Sequence, residues 1–130
     1  MVLAHQLFAS LRLLCDMFLT PLPPGIDAIL YAHIFTIWSP QKNIALLKKT
    51  HAALPKGGKV LIFNMMARDD DSGPLSTALG SPYFLAIATG EGMLYPWKDY
   101  ESWLREAGFS NFQRIGNLPL DHGLLVGTKE

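Results

Sequence analysis

Apolar residues gather along this chain into runs whose spacing changes from one segment to the next. Ile26 to Phe35 (IDAILYAHIF) is nearly continuous in apolar side chains, the pattern of a strand covered on both faces, and predicts a central parallel strand. Ser39 before Pro40 sets an N-cap ahead of a proline suited to a first helical turn. Ile44, Leu46, Leu47, His51 and Leu54 then recur at helical spacing until Pro55-Lys56-Gly57-Gly58, which predicts a helix over about residues 40–54. Lys59 to Met65 (KVLIFNM) reads as a second buried strand, and links this short imply a right-handed parallel βαβ unit. Asp69 to Pro74 is a loop, and Leu75 to Thr89 is mostly helical with a break near Gly80 to Pro82. Trp97 to Ala107 is an amphipathic helix with Tyr100, Trp103 and Leu104 on one side and Gly108 just past its end. Phe109 to Ile115 and Gly123 to Lys129 close the chain as two strands whose short connection favours antiparallel pairing. No repeat or linker divides residues 1–130, so one α/β unit is expected.

Composition narrows the classes. Eleven basic residues balance eleven acidic ones over 130 residues, leaving no field to attract nucleic acid. Met1 to Leu14 is apolar, but it lacks a basic leader, is interrupted by His5 and Arg12, and falls short of the roughly 20 residues of a spanning helix. It reads as an amphipathic helix, with no membrane role. Cys15 is the single cysteine, which excludes an internal disulfide and suits a reducing cytoplasm. His5, His33, His51 and His122 lack ligand spacing, and Asp69-Asp70-Asp71 lacks the alternation of a cation loop, so no metal is expected.

Several short words, taken in order, carry a resemblance. Cys15-Asp16-Met17-Phe18 with Pro21-Leu22-Pro23, Ala32-His33 to Trp38-Ser39, Leu54 to Lys59, Ala107-Gly108-Phe109 and His122 to Leu125 are similar to words of the plant- and bacterial-type small-molecule O-methyltransferases. The resemblance covers about residues 15–130. It implies the C-terminal half of a Rossmann-like class I methyltransferase sheet: a parallel βαβ unit, further helices and a terminal antiparallel strand pair. It also implies S-adenosylmethionine as cofactor and a small aromatic or polyketide-like acceptor.

Residue by residue, the resemblance assigns Asp16 and Met17 to the adenine of the cofactor and His33 to the cofactor side. Each has a plainer reading, as a turn-capping carboxylate, a core thioether and a core imidazole. Met65, Tyr83, Phe84, Ile87 and Trp97 correspond to the acceptor pocket, or else to core. The family's general-base histidine is replaced by Thr36, whose hydroxyl cannot take a phenolic proton near neutral pH as an imidazole can, so no catalytic residue is assigned. Asn64 stands where the family often has an acid. The family's glycine-rich loop lies upstream of Asp16, and the fourteen residues MVLAHQLFASLRLL contain no glycine, so a truncated or split copy with weak cofactor binding is expected. Its open sheet edge would pair with a second copy or a complementing N-terminal half. Two other readings compete: a non-catalytic module that pairs through that edge, and a nicotinamide dehydrogenase fragment, which shares the βαβ pattern but not the words.

Overall fold

A computed structural model describes residues 16–130. The expectations placed on residues 1–15, including the amphipathic helix and the setting of Cys15, lie outside the described residues. The remainder follows the order β1 (Ala28–Ala32), α1 (Pro40–Ala53), β2 (Lys59–Met65), α2 (Leu75–Tyr83), a π-helical turn (Phe84–Ala88), α3 (Trp97–Glu106), β3 (Ser110–Leu118) and β4 (His122–Thr128). The four strands form one sheet in the order β1-β2-β4-β3. β1 and β2 are parallel, while β4 runs antiparallel to both of its neighbours.

Helix ends are fixed by local chemistry. Ser39 Oγ accepts from the Lys42 N–H at 3.4 Å and Pro40 opens α1, as the Ser-Pro pair predicts. At the other end Lys129 Nζ donates to the carbonyls of His51 and Leu54, both at 2.7 Å, answering two of the acceptors that a helix end leaves bare. α3 ends in a Schellman motif: Phe109 N–H donates to Leu104 O and Gly108 N–H to Arg105 O, with Gly108 at φ +99°. At its start, where Pro96 has no side chain to offer, Asp69 Oδ1 accepts from the Lys98 N–H at 2.6 Å.

The core lies on one face of the sheet. Tyr31, Val60, Ile62 and Leu125 point from the strands to Leu46 and Leu47 of α1 and Tyr100, Trp103 and Leu104 of α3, all buried. The opposite face carries Leu30, Leu61, Phe63, Leu124 and Val126, which the described residues leave half-buried or exposed.

Three expectations change. The strand expected over Ile26–Phe35 contracts to Ala28–Ala32, because His33 turns left-handed (φ +57°) and Ile37 N–H closes a turn onto Ile34 O; it lies at an edge of the described sheet, as the expected open edge requires. The break expected near Gly80–Pro82 falls later, at Tyr83: Ser81 Oγ back-bonds to Thr77 O, Pro82 remains inside α2, and the chain widens into the π turn. Tyr83 and Ile87, expected to face a pocket or core, are more than half exposed among the described residues, as is Leu85 between them.

Candidate functional site

In an open α/β sheet, ligands bind beyond the carboxyl ends of the parallel strands. Here that rim is built by residues 33–38 after β1, the end of β2 with residues 66–68 after it, and the start of β4, which antiparallel pairing brings to the same end. Residues 16–18 join it through Phe18, whose ring meets Trp38 edge-on at 5.3 Å. Lys49 of α1 donates to the carbonyls of Met17 and Thr20, tying this segment to the βαβ unit.

Asp16 is exposed, and its Oδ1 accepts from the Phe18 and Leu19 N–H groups at 2.8 and 3.1 Å. The carboxylate therefore does cap a turn, and its second oxygen has no partner among the described residues. Met17 is half-buried against the core cluster. His33 is exposed on the rim, its ring edge-on to Phe63 at 5.5 Å and to His122 at 5.0 Å. Partial desolvation, and then repulsion from His122, lower its pKa below the usual 6.5, so the imidazole is neutral near pH 7.

Thr36 is fully buried, and its hydroxyl is directed back to His33 O at 3.4 Å. It is part of a clamped loop. Asn43 Nδ2 donates to the carbonyls of Phe35 (2.8 Å) and Trp38 (3.2 Å), Tyr95 Oη donates to Trp38 O at 3.0 Å, and Thr89 Oγ1 donates to Ile37 O. Gly92 lies so close that a Cβ there would sit 2.1 Å from Thr36 O. The stretch after the π turn is thus fastened to the loop that follows β1. Sequence reasoning missed this clamp, because Asn43, Thr89 and Gly92 carry no motif and act only through backbone carbonyls.

The five residues assigned to an acceptor pocket do not converge. Met65 lies on the less covered sheet face opposite His122, Tyr83 and Ile87 are exposed, and half-buried Phe84 stacks edge-on with Tyr83 at 5.3 Å. Trp97 alone of the five lines a cleft, of about 180 Å³, and it does so beside Met66 rather than Met65. Asn64, fully buried, has both amide atoms unpaired among the described residues, as does the hydroxyl of Tyr100. Asp69, Asp70 and Asp71 serve internal contacts: Asp69 with Arg114 and the start of α3, Asp70 with the Ser72 N–H, Asp71 with Lys98. Among the described residues no three His, Cys, Asp or Glu side chains converge as a metal site requires, and no helix is long and apolar enough to cross a membrane.

Comparison with known proteins decides the family. The O-methyltransferase domain matches residues 11–110. The chain belongs to this O-methyltransferase family. It is 45% identical over 119 residues to an L-tyrosine C(3)-methyltransferase of Streptomyces lavendulae, covering 88% of this chain and 32% of that protein. It is 37% identical over 115 residues to a 3-hydroxy-5-methyl-1-naphthoate 3-O-methyltransferase of Streptomyces sahachiroi, covering 88% and 33%. The S-adenosylmethionine-dependent methyltransferase SibL, solved in its apo form, superposes with a TM-score of 0.80 at 40% identity, over 88% of this chain and 34% of that one. Human N-acetylserotonin methyltransferase, solved in complex with SAM, gives a TM-score of 0.82 at 27% identity, over 97% and 36%. The chain spans about a third of the length of the curated relatives it matches.

Proposed function

We propose that these residues form the carboxyl-terminal part of a methyltransferase domain that uses S-adenosylmethionine to methylate a small aromatic or polyketide-like acceptor. The observation that carries this reading is the meeting of two family words at the strand rim: Phe18, from Cys15-Asp16-Met17-Phe18, packs against Trp38, from the Trp38-Ser39 word. The rim suits the adenine end of the cofactor. A carboxylate with one oxygen unpartnered among the described residues accepts from an exocyclic amine, and the neighbouring half-buried thioether packs on a ring. When bound, S-adenosylmethionine brings an electrophilic methyl group, so the protein's part is largely to align the acceptor and exclude water. His33 borders the cofactor side as a neutral imidazole. The long side of β1 that is unpaired among the described residues pairs with the remainder of a complete domain or with a second copy.

Methylation at carbon is a second reading. The Thr36 hydroxyl is engaged by a backbone carbonyl and supplies no base, so on either reading the proton that the acceptor loses passes to water or to another group. The relative with 45% identity is named for methyl transfer to a ring carbon of tyrosine.

Both readings are tested by incubating the protein with methyl-labelled S-adenosylmethionine and a panel of phenols, hydroxynaphthoates and aromatic amino acids, followed by NMR of any product. An O-methyl or a C-methyl resonance decides between them. Absence of transfer together with absence of S-adenosylhomocysteine binding overturns both, and leaves a module that acts through its sheet edge.

A further inference from the structure

We infer that the cleft beside Trp97 recognises a zwitterionic aromatic amino acid as acceptor. The inference rests on the reading of the strand rim as a methyl-transfer site. The cleft, of about 180 Å³, lies where the loop after β2, the start of α3 and the β3–β4 turn meet, and its lining combines Arg68, Asp121, His122, Trp97 and Met66. Each half of an amino acid finds its complement there.

Arg68 is the cationic element. Arg105 is paired with Glu101, and Arg114 with Asp69 and Glu101, whereas Arg68 forms no ion pair among the described residues and reaches only Ser72 Oγ at 3.5 Å. Asp70, whose carboxyl feels the Arg68 charge, already accepts from the Ser72 N–H at 3.0 Å. A guanidinium with its fork unoccupied at the mouth of a cleft is suited to a carboxylate. Asp121 is the anionic element, with Oδ2 accepting from the Ser76 hydroxyl at 2.6 Å and Oδ1, unpartnered among the described residues, facing an ammonium.

The aromatic floor is specifically accommodated. Trp97 lies so close to β4 that a Cβ on Gly123 would come within 2.3 Å of its ring, whereas a Cβ on Gly116 would meet it in ordinary contact at 3.9 Å. Arg114 lies over the ring at 5.5 Å and fixes it from outside the cleft. The turn that presents Asp121 holds Asn117, Leu120 and Asp121 at positive φ (+57°, +59° and +58°), a conformation non-glycine residues seldom adopt. His122 places the cleft beside the reaction. It lines the cleft and also meets His33, on the proposed cofactor side, at 5.0 Å.

Calorimetric titration with L-tyrosine, tyramine and 3-(4-hydroxyphenyl)propionate tests this without requiring turnover. L-Tyrosine is expected to bind more tightly than either one-charge analogue. Arg68→Gln should weaken L-tyrosine and the propionate by about ten- to a hundredfold while leaving tyramine unchanged. Arg68→Lys should recover part of the loss. Asp121→Asn should weaken L-tyrosine and tyramine only, and asparagine tolerates the left-handed backbone at that position. Equal binding of the three ligands, no binding of L-tyrosine, or an unchanged L-tyrosine affinity in Arg68→Gln overturns the inference. Methylation of L-tyrosine with unchanged KM and kcat when Gln replaces Arg at position 68 would overturn it and leave the methyltransferase reading standing. Failure to bind S-adenosylhomocysteine would remove that reading, and the three-ligand titration would still decide the cleft's ligand.

Discussion

Tyr31 and Tyr100 are both buried phenols, and they differ in what their hydroxyls meet. Thr50 gives its own proton to Leu46 O at 2.9 Å, so Tyr31 is the donor in its 2.6 Å bond to Thr50 Oγ1. The Tyr100 hydroxyl makes no well-formed hydrogen bond among the described residues, although the Asn64 side chain and the Tyr95 backbone lie beside it, and burial, followed by the charge of Tyr95, raises its pKa far above that of an ordinary tyrosine. Removing the paired hydroxyl with Tyr31→Phe should therefore lower stability by about 1 kcal/mol, whereas Tyr100→Phe should be neutral within ~0.5 kcal/mol or stabilising, as read from urea denaturation. His33 supplies a second residue-scale prediction. Its folded pKa lies below the 6.5 of an unfolded histidine, so its contribution to stability is present above pH 6.5 and is lost as pH falls through the lowered value. An NMR titration should find the His33 ring titrating below 6.5. His122→Asn should move it upward without abolishing the shift, because desolvation is the larger cause; an unmoved or lowered pKa would contradict that assignment. Asp16, Thr36 and His33 could be named from their words in the sequence, but their engagements could not. Whether a hydroxyl faces a ligand or a carbonyl three residues back depends on the turn around it, and that turn is set by the left-handed backbone of His33.

At the scale of elements, periodicity located α1, β2 and α3 to within about a residue, because each has a strong apolar pattern and an explicit stop in Pro55, Gly57 or Gly108. It overran β1. The continuous apolar run Ile26–Phe35 does not distinguish strand from the tight turn that follows, and Phe35 and Thr36 are buried in that turn. The loop and the π-turn region depend on each other through Gly92, whose missing side chain allows backbone contact with residues 36 and 37. Gly92→Ala would bring a Cβ within 2.1 Å of Thr36 O and 2.6 Å of Ile37 C, both backbone atoms unable to step aside. We expect a loss of about 1–3 kcal/mol. Gly116→Ala, with its nearest neighbour at 3.9 Å, is the control and should change the denaturation midpoint little. Similar midpoints for the two variants would show that the clamp does not hold the loop.

Across the whole molecule, the sheet order β1-β2-β4-β3 places both described helical layers, α1 and α3, on one face and leaves Leu30, Phe63, Leu124 and Val126 on the other. The antiparallel pair was legible from its short connection. The insertion of β4 between β2 and β3 was not, since pairing of β4 with β2 is long-range and no local spacing encodes it. Leu30 is 60% exposed on an edge strand without a charged side chain, which invites pairing with a similar edge. Expressed as these 130 residues alone, the protein should self-associate in sedimentation experiments, and Leu30→Lys should shift it toward monomer; a monomeric parent would contradict this. The central claim is that the rim formed by residues 16–18 and 33–38 holds the adenine end of a methyl donor. It is tested most directly by following the backbone amide resonances of the protein while S-adenosylhomocysteine is titrated to millimolar concentration. The account predicts saturable shifts centred on Asp16, Met17 and His33 that Asp16→Ala removes. Shifts confined to other residues, or none at all, would contradict it.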